Sequence, residues 1–389
     1  MVIQVTRRLA LPDPVRMALY QRSPDLGPKL LFFSGGTALR AACAEIIRYS
    51  HNTIHIVTPF DSGGSSARLR DAFRMPAIGD VRNRLLSLAD RSLHGNPEIF
   101  RLFAHRFPED GDRAELADAL DRMIRGKHRL AAAIPDPMRK IIRHHLDLFR
   151  RHMPDDFDLR KASIGNLILT GGYLDNGRHV DPVIFIFSKL VRVRGIVRPV
   201  LNRHLHLAAE LESGKTVVGQ HRITGKETAP LKDPIRRIYL SDRTDAPRPV
   251  RPRIRNKMKT LIAGADLICY PMGSFYSSLM ANLLPDGVTA AIRDNPCPKV
   301  YVPNTAPDPE TLGMTLMDGI DRLRRRLGPD RGILDFVILD RTNGDYVGDI
   351  DDARLENRGV KIIDRQLITP ESRPFIDEKL LTPVLFSLA

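Results

Sequence analysis

Two stretches of this chain concentrate residue types that handle anions. The first is Ser34-Gly35-Gly36-Thr37, directly after the apolar run Leu30-Leu31-Phe32-Phe33. The second is Asp61-Ser62-Gly63-Gly64-Ser65-Ser66, with Arg68 and Arg70 close behind and Gly79-Asp80-Val81-Arg82-Asn83 a little further on. Glycine lets backbone N–H groups approach a phosphate, and a helix starting at such a turn adds the positive end of its dipole. Taken alone, Gly35-Gly36-Thr37 fits either a phosphate cradle or a plain tight turn. The second stretch says more, because a carboxylate, two hydroxyls and two guanidinium groups surround a Gly-Gly pair. Ser163-Ile164-Gly165-Asn166 and Gly273-Ser274 offer the same kind of small, backbone-exposing start. At Gly165 the alternatives are an anion or nucleobase edge and close helix packing.

Elements must carry these turns to one place. Leu30 to Phe33 and Thr53 to Val57 read as buried strands, each followed by a glycine-rich loop and a helical pattern. From Arg91 to Lys161 the pattern is helical and charged. Asp136-Pro137 opens an amphipathic helix to about His152, with His145 on its apolar stripe as a core residue. The run Phe187 to Gly195 alternates charged and apolar residues, so Lys189, Arg192 and Arg194 either face phosphates or decorate a half-exposed strand. His204 to Thr224 reads as a β-hairpin turning at Glu212 to Lys215, and Ile238-Tyr239-Leu240 as one more strand. His204 and His206 share a face, but no third ligand is near in sequence, so they count as surface residues. Ala265 to Tyr270, Lys299 to Asn304 with a polar end, Leu334 to Leu339 and Val360 to Ile363 are further strands. Strands alternating with helices imply a mostly parallel sheet with right-handed crossovers. The expected fold is α/β and Rossmann-like, with helices on both faces of the sheet, a helical insertion at about 91–161 and a small antiparallel β segment at about 200–240. Residues 1–29 form a lead-in whose helix starts at Asp13-Pro14. Residues 365–389 form a C-terminal tail.

At 389 residues with 42% hydrophobic content, the chain can bury one large core. Its 60 Lys and Arg against 46 Asp and Glu leave a net charge of +14, which suits an anionic partner. Nucleic acid is disfavoured, because no aromatic-interleaved basic motif, helix-turn-helix pattern or zinc spacing accompanies the charge. Cys43, Cys269 and Cys297 are dispersed, as expected of reduced thiols in a cytoplasmic protein. No apolar run is long enough for a membrane span, and Arg7, Arg8 and Asp13 interrupt any signal-peptide core.

The ordered series of motifs resembles the CofD/YvcK family: Ser34 to Leu39, Asp61 to Arg70, Gly79 to Asn83, Ser163 to Leu167 and Gly273 to Ser278. The resemblance runs from about Leu30 to Asp364. It implies a transferase that moves a phosphate-linked carboxylate group from a nucleoside diphosphate-type donor to an acceptor hydroxyl. The alternative within the family is a non-catalytic, nucleotide-sugar-binding regulator. By resemblance, Gly35, Gly36, Thr37, Gly273 and Ser274 would meet phosphates, with Gly63, Gly64, Ser65 and Gly165 in the same binding set. Asn83 and Asn166 would lie nearer the nucleoside, Arg68 would balance developing charge, and Asp61 would orient the acceptor or hold Mg²⁺. A single carboxylate needs substrate phosphates to hold that ion, so metal binding should depend on the donor. No tightly bound organic cofactor is expected. The regulator branch often has an aspartate where Phe60 stands, an aromatic where Met314 stands and a Cys-Asn pair near Asn304. The long helical stretch and the basic linker Ser241 to Lys259 are more like the CofD-related proteins that accompany ATP-grasp and HPr-kinase-like partners, the GAK systems. A homodimer is the default assembly.

Overall fold

The computed structural model describes residues 8–92, 95–225, 228–328 and 332–389. The beginning of the expected lead-in, residues 1–7, lies outside them. Seven strands form one sheet: β1 (Leu30–Ser34), β2 (Ile54–Val57), β3 (Ile196–Pro199), and then, after β4 (His206–Leu211), β5 (Thr216–Val218) and β6 (Ile235–Ser241), β7 (Leu267–Tyr270), β8 (Lys299–Tyr301), β9 (Phe336–Leu339) and β10 (Lys361–Asp364). Their order is β10-β9-β8-β7-β1-β2-β3, and every neighbouring pair is parallel. The strands β4, β5 and β6 make a separate antiparallel sheet in the order β5-β4-β6. The α/β class, the parallel sheet and the small antiparallel segment are therefore as the sequence led us to expect.

All five β1 residues and all four β2 residues are buried, as befits central strands covered on both faces. The two-residue strand period sends neighbours to different cores. Leu30 and Phe32 pack with the helical insertion, whose helices include Pro97–Ala104, Arg113–Ile124 and Met138–His152. Leu31 and Phe33 pack with the small sheet and the helix Leu316–Leu327. His145 is buried on the insertion's long helix, as its place on the apolar stripe implied.

One segment departs from the strand reading. Phe187 to Leu190 close a helix, Val180–Leu190, because Val180, Val183, Ile184, Phe187 and Leu190 repeat at helical spacing on its buried side. The first and last described helices meet. The Asp13 carboxylate caps the helix Pro14–Arg22 by accepting from Val15 N and Arg16 N, and the Asp13 N–H donates to Ser387 Oγ at 2.8 Å. Ser387 belongs to the helix Glu378–Leu388, which packs on Arg40–Ile46, the helix that follows β1.

The chain leaves β1 in one direction through β2 and β3, then returns to the other side of β1 with β7 and runs outward to β10. The carboxyl ends of β1 and β7 therefore flank a topological switch point, where an open α/β sheet leaves a crevice.

Candidate functional site

A cleft of about 1130 Å³ opens at that switch point, lined by Gly35, Gly36, Thr37, Asp61, Gly63, Asp80, Asn83, Gly273 and Ser274 among others. A second lobe of about 680 Å³ shares Asp61, Gly63 and Asn83 with it and adds Gly64, Ser65, Arg68 and Asn166. Of the site residues that the resemblance implied, only Gly165 lines neither space.

On the β1 side, the two glycines make room for other side chains. A Cβ on Gly36 would overlap the Asp80 carboxylate, and one on Gly35 would overlap the Ser278 hydroxyl. The turn is propped from below by the fully buried Arg84, which donates to the Gly35 carbonyl at 2.8 Å and to Ser34 Oγ at 3.1 Å.

The β2 loop presents Asp61, whose Oδ1 accepts from Gly63 N at 3.1 Å. Its Oδ2 lies 3.2 Å from where a Cβ would stand on Gly79, which brings Asp61 next to Asp80. The helix Gly64–Phe73 begins here without a side-chain cap. Arg70 turns inward and holds the carbonyls of Phe60, Asp61 and Leu205, so it fixes the loop. Arg68 lines the second lobe, but its Nη1 is committed to the Asp158 and Arg160 carbonyls and lies 3.3 Å from the Asp158 carboxylate. Its guanidinium is therefore less available for developing charge than the sequence implied.

The β7 side differs from expectation. Gly273 N donates to Asn304 Oδ1 at 2.7 Å. A π-helical turn, Phe275–Met280, follows, and its first N–H groups are taken by the protein's own carboxylates. Phe275 N donates to Asp308 Oδ2, and both Tyr276 N and Ser277 N donate to Glu310 Oε2, each at 2.8 Å. Burial, and then the neighbouring Asp308, raises the Glu310 carboxyl above its ordinary range. Gly273 and Ser274 line the cleft, yet this helix start is already capped by anions.

The Ser163 to Asn166 motif serves the second lobe from behind. Ser163 Oγ accepts from Arg82 Nη1. Gly165 packs closely: a Cβ there would stand 2.7 Å from the Phe103 carbonyl and 2.9 Å from Arg82 Cδ. The packing alternative holds for Gly165, which lets Arg82 pass. Asn166 is buried and its Nδ2 donates to Ser65 Oγ at 3.1 Å.

Several residues of the cleft escaped the sequence reading. Asp80 stood inside a motif already noticed, and its position directly after Gly79 was the available signal. Asn304 and Asp308 come from the loop after β8, where only a polar strand end was visible. His221, brought by the small sheet, lines the cleft with its Nδ1 2.8 Å from Ser62 Oγ. Phe375, two-thirds exposed, lines the cleft from the C-terminal segment. Met314, by contrast, is buried and takes the Tyr276 hydroxyl at its sulfur, away from the main cleft. His204 and His206 are half-buried, not surface residues: His204 Nδ1 meets the Met75 carbonyl and His206 lies beside Arg70.

No group of three or more His, Cys, Asp or Glu among the described residues could hold a metal ion. Asp61 and Asp80 supply two carboxylates on one wall, which fits Mg²⁺ only where ligand phosphates complete the oxygen shell. No described helix is long and apolar enough to cross a membrane.

A doubly wound parallel sheet with a glycine-lined cleft at its switch point defines a Rossmann-like class of α/β protein by architecture. Residues 30–368 match the family model described as 2-phospho-L-lactate transferase CofD, and the chain belongs to that family. It is similar to the gluconeogenesis factor of Bacillus subtilis, with 28% identity over 355 residues, covering 88% of this chain and 92% of the relative. The gluconeogenesis factor of Halalkalibacterium halodurans is 29% identical over 313 residues, covering 80% of this chain and 76% of that one. The crystal structure of a UPF0052 family member from Bacillus halodurans superposes with a TM-score of 0.66 at 26% identity, covering 92% of this chain and 98% of that chain.

Proposed function

We propose that the switch-point cleft binds a nucleoside diphosphate-type donor and that the chain transfers the donor's phosphate-linked carboxylate group to an acceptor hydroxyl. The observation that carries this reading is the meeting of Gly35-Gly36-Thr37, Asp61, Asp80 and Asn83 in one cleft between β1 and β2 on one side and β7 on the other. The acceptor oxygen forms a bond to the phosphorus bearing the carboxylate-containing group. The bridging P–O bond of the diphosphate breaks, and its electron pair leaves on the nucleoside monophosphate. Asp61 orients the acceptor hydroxyl and receives its proton. Asp61 and Asp80 are the residues that would hold Mg²⁺ with the phosphates, and the ion would neutralise charge on the diphosphate. Arg82, rather than Arg68, is the cation best placed to balance charge near Asp61. Phe375 offers an exposed ring at the mouth on which a nucleobase can stack.

A second reading is favoured by the names of the relatives, which are gluconeogenesis factors and not transferases. In it the same cleft holds a nucleotide sugar and reports it to a partner protein. Incubation with candidate dinucleotide-like donors, an acceptor and Mg²⁺ separates the two. Release of nucleoside monophosphate that Asp61→Ala reduces at least a hundredfold, roughly the contribution of a positioned general base, supports transfer. Saturable binding without turnover for every donor supports the regulator.

A further inference from the structure

The second lobe holds a buried cation, Arg82, to which the donor-binding reading gives a charge-balancing role near Asp61 but no ligand of its own. Arg82 is only 7% exposed, and its Nε has no partner. Its remaining hydrogen bonds go to neutral acceptors, Ser163 Oγ and Asn83 Oδ1. Burial, and then the like charge of Arg106, brings the guanidinium down to about 10, with Asp80 and Asp61 opposing. A buried charge held by neutral groups and pressed by a second cation is costly to the folded protein. The chain nevertheless builds a support for it, since Gly165 clears a path for its stem and Ser163 anchors its end.

The surroundings are mainly cationic, with Asp61 as the one carboxylate among the lining residues. Arg106 and Lys161 line the same lobe, with Arg106 Nη1 held on the Lys161 carbonyl at 2.6 Å. Ser65 and Ser66 stand in the first turn of the ten-residue helix Gly64–Phe73, which starts without a side-chain cap and directs its positive dipole end here. Asn166 reaches Ser65 from the opposite wall.

We propose that this lobe is a site for a phosphate group distinct from the donor's diphosphate, so that the acceptor, or the far end of the ligand, carries its own phosphate. Of the four cations that line the lobe, Lys161 is paired with Glu109 and Arg68 with Asp158, which leaves Arg82 and Arg106. Two guanidinium groups, hydroxyls and a helix start suit a tetrahedral dianion better than a single carboxylate, which one guanidinium fork would satisfy. The proposal rests on the donor reading only for what occupies the neighbouring cleft.

The test is equilibrium dialysis of the full chain against labelled inorganic phosphate, with and without saturating GDP. One phosphate should bind per chain in both cases, and acetate should not displace it. Arg106→Ala and Arg82→Gln should each weaken phosphate binding about tenfold, equivalent to roughly 1.4 kcal/mol, at an unchanged melting temperature. Arg106 is exposed, so its variant tests the lobe even where Arg82→Gln fails to fold. Displacement of phosphate by GDP, or affinity unchanged in Arg106→Ala, overturns the proposal. If GDP fails to bind, the donor reading falls, while the phosphate arm alone still decides this one. A parallel arm with glycerol 3-phosphate distinguishes the sources: tighter binding of the ester assigns the lobe to a phosphorylated ligand, and tighter binding of the free ion assigns it to inorganic phosphate.

Discussion

The glycine turns after β2 and β7 look alike in sequence and meet different electrostatic surroundings. At β7 the chain caps its own helix start: Asn304, Asp308 and Glu310 take the N–H groups of Gly273, Phe275, Tyr276 and Ser277. At β2, next to β1, the helix Gly64–Phe73 has no side-chain cap from its N-cap residue Gly63, whose own N–H is taken by Asp61, and Arg82, Arg106 and Lys161 gather around it. The cleft thus has an acidic wall after β7 and β8 and a basic lobe beyond β2. A loop followed by a helix start is an anion site only when the protein has not already supplied the anion. A phosphate-bearing ligand should therefore lie with its anionic end toward Asp61 and Arg82, and present hydroxyl or N–H groups to Asn304 and Asp308.

The comparison breaks most easily at Glu310. Its carboxylate serves two backbone donors and the Ser277 hydroxyl in a fully buried place, so Glu310→Ala leaves those donors unpaired and should cost about 3 kcal/mol in urea unfolding. The same group predicts a pH effect whose sign is fixed. A carboxyl with a folded pKa above its unfolded value contributes stability that is complete at low pH and lost as pH rises through the folded value. Stability should fall by on the order of 1 kcal/mol between the ordinary glutamate range and about pH 7, and Glu310→Gln should flatten that slope. A flat wild-type profile would mean that Glu310 is an ordinary carboxylate and that the acidic wall carries its full charge throughout.

A smaller effect is expected at Gly36. An alanine there meets the Asp80 carboxylate, which also accepts from Thr58 Oγ1 at 3.3 Å. Pushing Asp80 aside should cost about 2 kcal/mol of stability by overpacking. It should also weaken Mg²⁺-dependent binding of GDP, read by calorimetry with and without the ion. If GDP binding in Gly36→Ala is unimpaired, the turn is plain chain reversal and the ligand lies elsewhere in the cleft.

The parallel sheet was legible because its strands are short continuous apolar runs separated by helical periods, and a buried strand has no other way to be written. The turns around Gly35, Gly63 and Gly273 were legible as small residues at strand ends. What sequence could not show is which turn had been satisfied from within, because Asn304, Asp308 and Glu310 lie more than thirty residues from the N–H groups they cap. Gly165 was misplaced for the same reason: its constraint is the Arg82 stem and the Phe103 carbonyl, both remote in sequence. The segment Phe187 to Leu190 shows the weakness of alternation over a few residues, where a helical set beginning at Val180 outweighs it.

Phe375 offers the finest test of how the two walls are used. It lies beyond the family match, which ends at residue 368, yet it reaches the cleft because the C-terminal segment is tied down on both sides. The Asp340 carboxylate accepts from Leu367 N at 2.8 Å and Ile368 N at 2.9 Å, and Thr305 Oγ1 donates to the Pro374 carbonyl at 2.7 Å. Since the ring is two-thirds exposed, Phe375→Ala should leave the unfolding midpoint in place. If the base stacks on this ring while the phosphates lie toward Asp61, the substitution should weaken GDP by about 1 kcal/mol, near fivefold, and leave inorganic phosphate binding unaltered. An equal loss for both ligands would put the phosphates at the mouth and reverse the orientation argued here, whereas no loss for either would move the base to the Asn304 and Asp308 wall.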